Sequence, residues 1–301
     1  MYKKIGIIFS CFILLAFSSQ SVFALNMEEI MPKSGTVNAV KESEAYIVID
    51  KKTNEVMLSK NENLLWTPAS LTKLMTAMVF LDSKTMLSKK VAMKKEDEVG
   101  GSRLYTKTGV QYKASDLFHA SLIASNNNAT NALARSTGYS REKFVGLMNK
   151  KAAELGAGQT KFFEPTGIDP KNLTTASDFA KIINAAFADP YIGQVVKKNA
   201  YSFTAVNSKT YKHNLVTTNK LLGDGQVGAL GGKTGYLEES KYNFATITKD
   251  GFGNEYIIVV LGAENSAAQF GQVKKLAYDA MAKRIFGFSA VLGTSTSVSN
   301  K

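Results

Sequence analysis

Tyr242-Asn243-Phe244-Ala245-Thr246-Ile247-Thr248, the turn Asp250-Gly251-Phe252-Gly253, and Glu255-Tyr256-Ile257-Ile258-Val259-Val260-Leu261 read as two strands across a tight connection. Both runs are rich in β-branched and aromatic residues and are cut short by the glycine-containing turn, as strands are. Downstream, about Ala267 to Phe286 reads as one long helix. Far upstream, Ala45 to Asp50, the turn Lys51-Lys52-Thr53-Asn54 and Glu55 to Leu58 repeat the strand-turn-strand pattern. Everything between is dominated by helical spacing. Leu71, Leu74, Met75, Met78 and Val79 recur at that spacing after Pro68-Ala69-Ser70. Leu117, Phe118, Leu122 and Ile123 recur behind Ser115, the expected cap, and residues 140–155 and 176–188 follow the same pattern. The economical arrangement is α+β: an antiparallel sheet from N- and C-terminal strands, packed against helices, with an inserted helical region.

The chain has 301 residues, 45% of them hydrophobic, with 37 Lys+Arg against 25 Asp+Glu for a formal charge of +12. That balance excludes a disordered chain and supports a sizeable core. One cysteine excludes an internal disulfide or a multi-cysteine zinc site, and two histidines, His119 and His213, leave little for histidine-based metal binding. Lys3 and Lys4, the apolar run Ile5 to Phe17 and the ending Val22-Phe23-Ala24 match a secretory signal peptide over residues 1–24. The run is short of the roughly 20 residues a spanning helix needs. Its removal takes Lys3 and Lys4 away and lowers the charge to +10. Lysine is spread along the chain without a basic block, so no nucleic-acid partner is expected. Residues 25–288 are expected to form one domain. Residues 289–301 read as a flexible polar tail, and no stable membrane anchor is expected once the signal is cleaved.

Three short motifs carry chemistry. In Ser70-Leu71-Thr72-Lys73, helical spacing puts a hydroxyl and an amine on one face. Serine becomes a nucleophile when a base takes its proton, and lysine is that base once burial or nearby positive charge lowers its pKa. Alone, the pattern is weak, and a cap serine beside a solvent-facing lysine explains most occurrences of it. In Ser125-Asn126-Asn127, a hydroxyl can relay a proton and an amide can hold both a lysine and a substrate carbonyl. An ordinary polar helix junction explains it as well. In Lys233-Thr234-Gly235, the amine and hydroxyl can bind a carboxylate and the glycine admits a close backbone approach. A glycine-rich turn ahead of an edge strand is the alternative.

Taken in order, with Ser125 52 residues after Lys73 and Lys233 106 residues after Asn127, the motifs form one joint pattern. In that pattern the chain resembles the low-molecular-mass penicillin-binding proteins, the serine-type D-alanyl-D-alanine carboxypeptidases and endopeptidases. Pro68 to Thr76 is similar to that family's nucleophile helix, and Gly101-Ser102-Arg103-Leu104 to its approach to the second motif. Glu164-Pro165-Thr166-Gly167-Ile168 with Thr175-Ala176-Ser177-Asp178 is similar to its N-P-x-G-L and S-T-A-x-D stretch. The resemblance spans about residues 40–285. It implies a β-lactamase/DD-peptidase-like fold and an exported enzyme of the periplasm or the outer cell surface. Peptidoglycan stem peptides would be its substrates and β-lactams its covalent inhibitors. It implies Ser70 as nucleophile, Lys73 as base and Ser125 as proton relay. Asn127 would position the substrate amide and Lys73. Lys233, Thr234, Gly235 and Tyr236 would line the substrate site, with the backbone N–H groups of Ser70 and Tyr236 facing the oxyanion. No metal or cofactor is implied.

Several features depart from the family. Glu164 stands where asparagine is common, and Leu237-Glu238-Glu239-Ser240 is unusually acidic. No arginine lies between Arg141 and Arg284, so help with a carboxylate falls to Lys233, Thr234, Thr218 or His213. Lys107-Thr108-Gly109 repeats the third motif but precedes Ser125, in a region expected to be loop and turn. A class A-like β-lactamase shares the motif order but needs E-x-x-L-N, which Glu164-Pro165-Thr166-Gly167-Ile168 does not supply. A P-loop would need glycine at the position of Val227. A non-catalytic wall-binding module would not need the intact motif set. A second, β-rich domain is not expected, which leans towards endopeptidase by analogy.

Overall fold

The computed structural model describes residues 42–225 and 227–287. The expected signal segment 1–24 and tail 289–301 lie outside the described residues, as do the edges of the expected 25–288 domain. Five antiparallel strands form the main sheet in the order β2-β1-β9-β8-β7. They are β1 (Ala45–Asp50), β2 (Val56–Lys60), β7 (Ala229–Leu237), β8 (Lys241–Lys249) and β9 (Glu255–Ala263). N- and C-terminal strands meet where β1 pairs with β9 through Ala45↔Leu261 to Asp50↔Tyr256. This is the sheet the sequence predicts. Two small ribbons, β3 (Lys90–Ala92) with β4 (Gln111–Lys113) and β5 (Ala200–Thr204) with β6 (Lys212–Val216), sit within the inserted region.

Strand alternation divides the sheet into two apolar faces. Ala45, Ile47, Ala245, Ile247, Ile257, Val259 and Leu261 join the large core shared with the inserted helices. Phe244, at an alternate position, meets Phe270 of the C-terminal helix edge-on at 5.0 Å. The inserted helices are α1 (Lys73–Asp82), α2 (Ala114–Leu122), α3 (Asn127–Ser136), α4 (Arg141–Glu154), α5 (Ala176–Ala188) and α6 (Pro190–Val195); α7 (Ser266–Phe286) closes the domain. Among the described residues, no helix is long and apolar enough to cross a membrane.

Helix α1 is buried all round from Lys73 to Phe80, which places it at the centre of the fold. Leu74, Met75 and Phe80 are each wholly buried and contribute on the order of 1.5–3 kcal/mol apiece. That apolar packing holds a helix whose first residue is a lysine removed from water. Caps match the expected bounds elsewhere: Thr175 accepts from Asp178 N at 3.0 Å and opens α5, and Ser140 accepts from Lys143 N at 3.2 Å and opens α4.

One expectation is corrected. Helix α2 is not capped by Ser115. It starts at Ala114, directly after β4, where the Asp116 carboxylate accepts from Lys113 N at 3.3 Å. Ser115 sits inside the first turn, and its carbonyl bonds His119 Nδ1 at 2.7 Å. Of the two readings of Lys233-Thr234-Gly235, the turn ahead of an edge strand is the one that gives way. The motif lies inside β7, itself an outer strand of the sheet, because the glycines pair in register as Gly232↔Thr246 and Gly235↔Asn243.

Candidate active site

A one-turn 3-10 segment, Ala69–Thr72, leads into α1 and carries Ser70. Its approach is fixed to the sheet by Asn243, wholly buried, which donates to the Thr67 carbonyl at 2.9 Å and accepts from Gly262 N at 2.9 Å. Ala69 has φ +49°, a left-handed conformation that costs an L-residue about 1–2 kcal/mol. Strain of this kind collects where geometry serves function.

Lys73 Nζ lies 2.7 Å from Ser70 Oγ and donates to the Thr166 carbonyl at 2.6 Å. The side chain is fully buried, and burial lowers the amine from 10.5 to about 7, with the negative charge of Glu164 opposing that fall. An amine that is neutral for a large part of its time near neutral pH can take the serine's proton. Ser70 itself remains partly exposed at the cleft.

The second motif occupies the link between α2 and α3. Ser125 has φ +59°, a second left-handed non-glycine residue at the site. Its hydroxyl accepts from Lys233 Nζ at 2.8 Å, and Lys233 also donates to the Thr234 carbonyl at 2.9 Å. Lys233 is buried, and desolvation followed by the charge on Lys73 holds it well below the ordinary lysine range. Two buried lysines thus share one cleft, each with a serine hydroxyl within hydrogen-bond reach.

Asn127 is placed differently from the expectation. Its Nδ2 donates to the Gly100 carbonyl at 2.6 Å, and its Oδ1 is buried without a hydrogen bond to Lys73 or any other protein group. A buried acceptor in that state costs free energy until a donor reaches it, which suits a substrate N–H. The segment over it is pinned by Asn127 N to the Ser102 carbonyl at 2.7 Å and by Leu104 N to Asn128 Oδ1 at 2.8 Å.

On β7, the Thr234 hydroxyl lies 2.6 Å from that of Thr218, which brings Thr218 to the site. His213 is not available there: its Nε2 bonds the Tyr112 hydroxyl at 2.9 Å and its ring packs on Phe203. Tyr236 is exposed beside Tyr242, with ring centroids 4.4 Å apart. The repeated triplet Lys107-Thr108-Gly109 is exposed in a turn held by Gly109 N to the Met93 carbonyl at 2.8 Å, as the loop expectation holds.

Sequence reasoning missed the loop that grips Lys73. Glu164 accepts from Thr166 N at 2.7 Å, from Thr166 Oγ1 at 2.6 Å and from Gly167 N. Pro165 O accepts from Thr76 Oγ1 at 2.6 Å, fastening the same loop to α1. Gly167 has φ +84°, and a Cβ there would stand 1.8 Å from the Ala69 carbonyl oxygen, so only glycine fits. The acidic residue in a stretch where the resemblance expects asparagine was the one visible signal. Both Glu164 oxygens are engaged by the loop, which leaves neither aimed at a hydrolytic water of the β-lactamase kind.

Residues 33–265 match the D-alanyl-D-alanine carboxypeptidase family. The chain belongs to this family. The match to a D-alanyl-D-alanine endopeptidase of Haemophilus influenzae is 32% identical over 228 residues, covering 75% of this chain and 77% of the relative. The match to the D-alanyl-D-alanine carboxypeptidase DacF of Bacillus subtilis is 32% identical, covering 80% of this chain and 62% of that longer protein. Among solved structures, the ampicillin-bound penicillin-binding protein D2 of Listeria monocytogenes is similar at a TM-score of 0.70 and 25% identity, over 79% of this chain and 97% of that one. As a D-alanyl-D-alanine carboxypeptidase family member, the chain is a serine-type peptidase with an α+β, DD-peptidase fold. The β-lactamase and non-catalytic readings give way to it.

Proposed function

We propose that this peptidase is exported to the periplasm or the outer cell surface and cleaves D-alanyl bonds of peptidoglycan stem peptides through an acyl-enzyme on Ser70. Ser70 Oγ adds to the carbonyl carbon of the penultimate D-alanine while its proton passes to Lys73 Nζ. The oxygen that becomes negative faces the backbone N–H groups of Ser70 and Tyr236. As the C–N bond breaks, the proton that Lys73 took passes to the leaving amine through Ser125, with Lys233 beside it, so Lys73 ends acylation neutral and the step is proton-neutral overall. Thr234, with Thr218 beside it and the Lys233 amine behind, receives the terminal carboxylate. Asn127 Oδ1 accepts from the substrate amide. Water then adds to the ester with Lys73 again as base, releasing the shortened peptide and restoring the Ser70 hydroxyl. β-Lactams acylate the same oxygen.

The observation that carries this reading is the buried Lys73 amine 2.7 Å from Ser70 Oγ. Digestion of defined muropeptides tests it. Free D-alanine from pentapeptide stems marks carboxypeptidase action, and dimers falling to monomers mark endopeptidase action. Loss of both in Ser70→Ala is expected, and a wild-type protein that releases neither product overturns the assignment.

A further inference from the structure

Glu164 is 3% exposed and belongs to none of the three motifs, yet it is two hydrogen bonds from the base. The path runs from its Oε2 to Thr166 N at 2.7 Å, and from the Thr166 carbonyl to Lys73 Nζ at 2.6 Å. The carboxylate also receives Thr166 Oγ1, Gly167 N and, at 3.2 Å, Asn172 Nδ2. Asn172 in turn accepts from Phe163 N at 2.7 Å and donates to Thr72 Oγ1 at 3.3 Å. Every one of these donors lies in the loop, and Thr72, which accepts from Asn172, lies in the nucleophile turn that the loop packs against. A buried carboxylate gripping this many neighbours fixes one loop conformation and carries a negative charge towards the cleft.

We propose that Glu164 is a positioning residue for the Lys73 amine, setting it on Ser70 through the Thr166 carbonyl and facing it with a fixed negative charge. The proposal rests on the reading of Ser70 and Lys73 given above. The charge that acts on the Lys73 amine is Glu164 from this loop; Lys233 of β7 faces the same cleft but is itself lowered by the charge on Lys73, and the link between α2 and α3 adds only neutral Ser125 and Asn127. Glu164 offsets part of the fall that burial imposes on Lys73. It therefore sets the pH at which the base becomes available as well as where the base sits.

The test is the rate constant for acylation of Ser70 by a fluorescent penicillin, followed from about pH 5 to about pH 9, the working range of a lysine base. The rate of the wild-type protein is expected to rise along an ascending limb as Lys73 loses its proton. Glu164→Gln removes the charge and presents an amide N–H₂ to donors, so its limb moves to lower pH by about one unit and its plateau falls. Glu164→Asp keeps the charge but withdraws the carboxylate by one methylene, so its limb stays in place while its plateau falls about tenfold, one hydrogen bond's worth. A Glu164→Gln limb at the wild-type pH, whatever its plateau, overturns the proposal. Should Glu164→Gln not fold, a full wild-type plateau in Glu164→Asp overturns it. A wild-type protein that is never acylated instead overturns the Ser70 assignment, a result distinct from either.

Discussion

Gly235 of β7 runs against the backbone on either side of Ala69: a Cβ on it would stand 2.7 Å from the Pro68 carbonyl oxygen and 3.2 Å from Ser70 N. The outer strand and the nucleophile turn are therefore one assembly, with no room for a methyl group between them. The contact is backbone to backbone, so no side-chain rotamer can relieve an intrusion. Gly235→Ala is expected to push β7 away from Ser70 and to lower the acylation rate by at least about tenfold, since a displacement of about 1 Å at a reacting centre is costly. Circular dichroism and the melting temperature identify a folded variant; a folded Gly235→Ala protein with the wild-type acylation rate refutes the coupling.

Acylation follows the protonation of Lys73. Burial sets this amine at about 7, so the neutral, proton-accepting form grows as pH rises through that value. The rate should climb about tenfold per pH unit well below 7 and level off above it. Stopped-flow labelling with a chromogenic cephalosporin measures the profile, and a rate flat across pH 5–7 would contradict lysine as the base.

The same shift has a cost for folding. Lys73 titrates at 10.5 in the unfolded chain and at about 7 in the fold, so between those values the unfolded state binds more protons and stability rises with pH. Below about 7 both states are protonated and the full penalty is present. Lys73→Met carries no such group, so the wild type should gain on it by up to about 1.4 kcal/mol per pH unit across the window from about 7 to about 10. Urea unfolding of both proteins at several pH values reads this out. A stability difference independent of pH sinks the prediction.

Away from the cleft, Asp97 is 1% exposed and is held by Arg135, with Nε to Oδ1 at 2.9 Å and Nη2 to Oδ2 at 2.7 Å. The pair, with Lys94 N donating to Asp97 at 2.8 Å and Arg135 to the Ala92 carbonyl at 2.8 Å, fixes α3 against β3. Arg135→Leu strands a buried carboxylate and should destabilise the protein by about 3 kcal/mol. Asp97→Asn combined with Arg135→Leu should recover part of that loss. Chemical denaturation decides, and a loss under about 1 kcal/mol in the single variant would show the pair to be weak.

Much of this was legible beforehand because it rests on period and punctuation. The helical spacing over residues 140–155 and 176–188, the Asp250-Gly251-Phe252-Gly253 turn and the strand runs state their own boundaries. Ser70, Lys73, Ser125 and Lys233 could be picked out because spacing and order bind them together. What escaped lies in the backbone. The Thr166 and Gly100 carbonyls that receive Lys73 and Asn127 carry no residue-specific mark. Ser125 and Ala69 take left-handed conformations that their residue types do not announce. Ser115 looked like a cap because serine commonly is one, but Asp116, one residue later, reaches the free Lys113 N–H at the start of α2 instead.

The position of β7 at the margin of the sheet has a last consequence. One side of this strand pairs with β8, and among the described residues its other side is left outside the ladder. An extended peptide laid along that rim would be gripped through its own main chain, as an added strand. Main-chain grip responds to chain direction and to the handedness of each α-carbon and is largely blind to side-chain identity. A cleft assembled on such a rim favours stereochemistry over composition, which is the discrimination a D-amino-acid terminus demands.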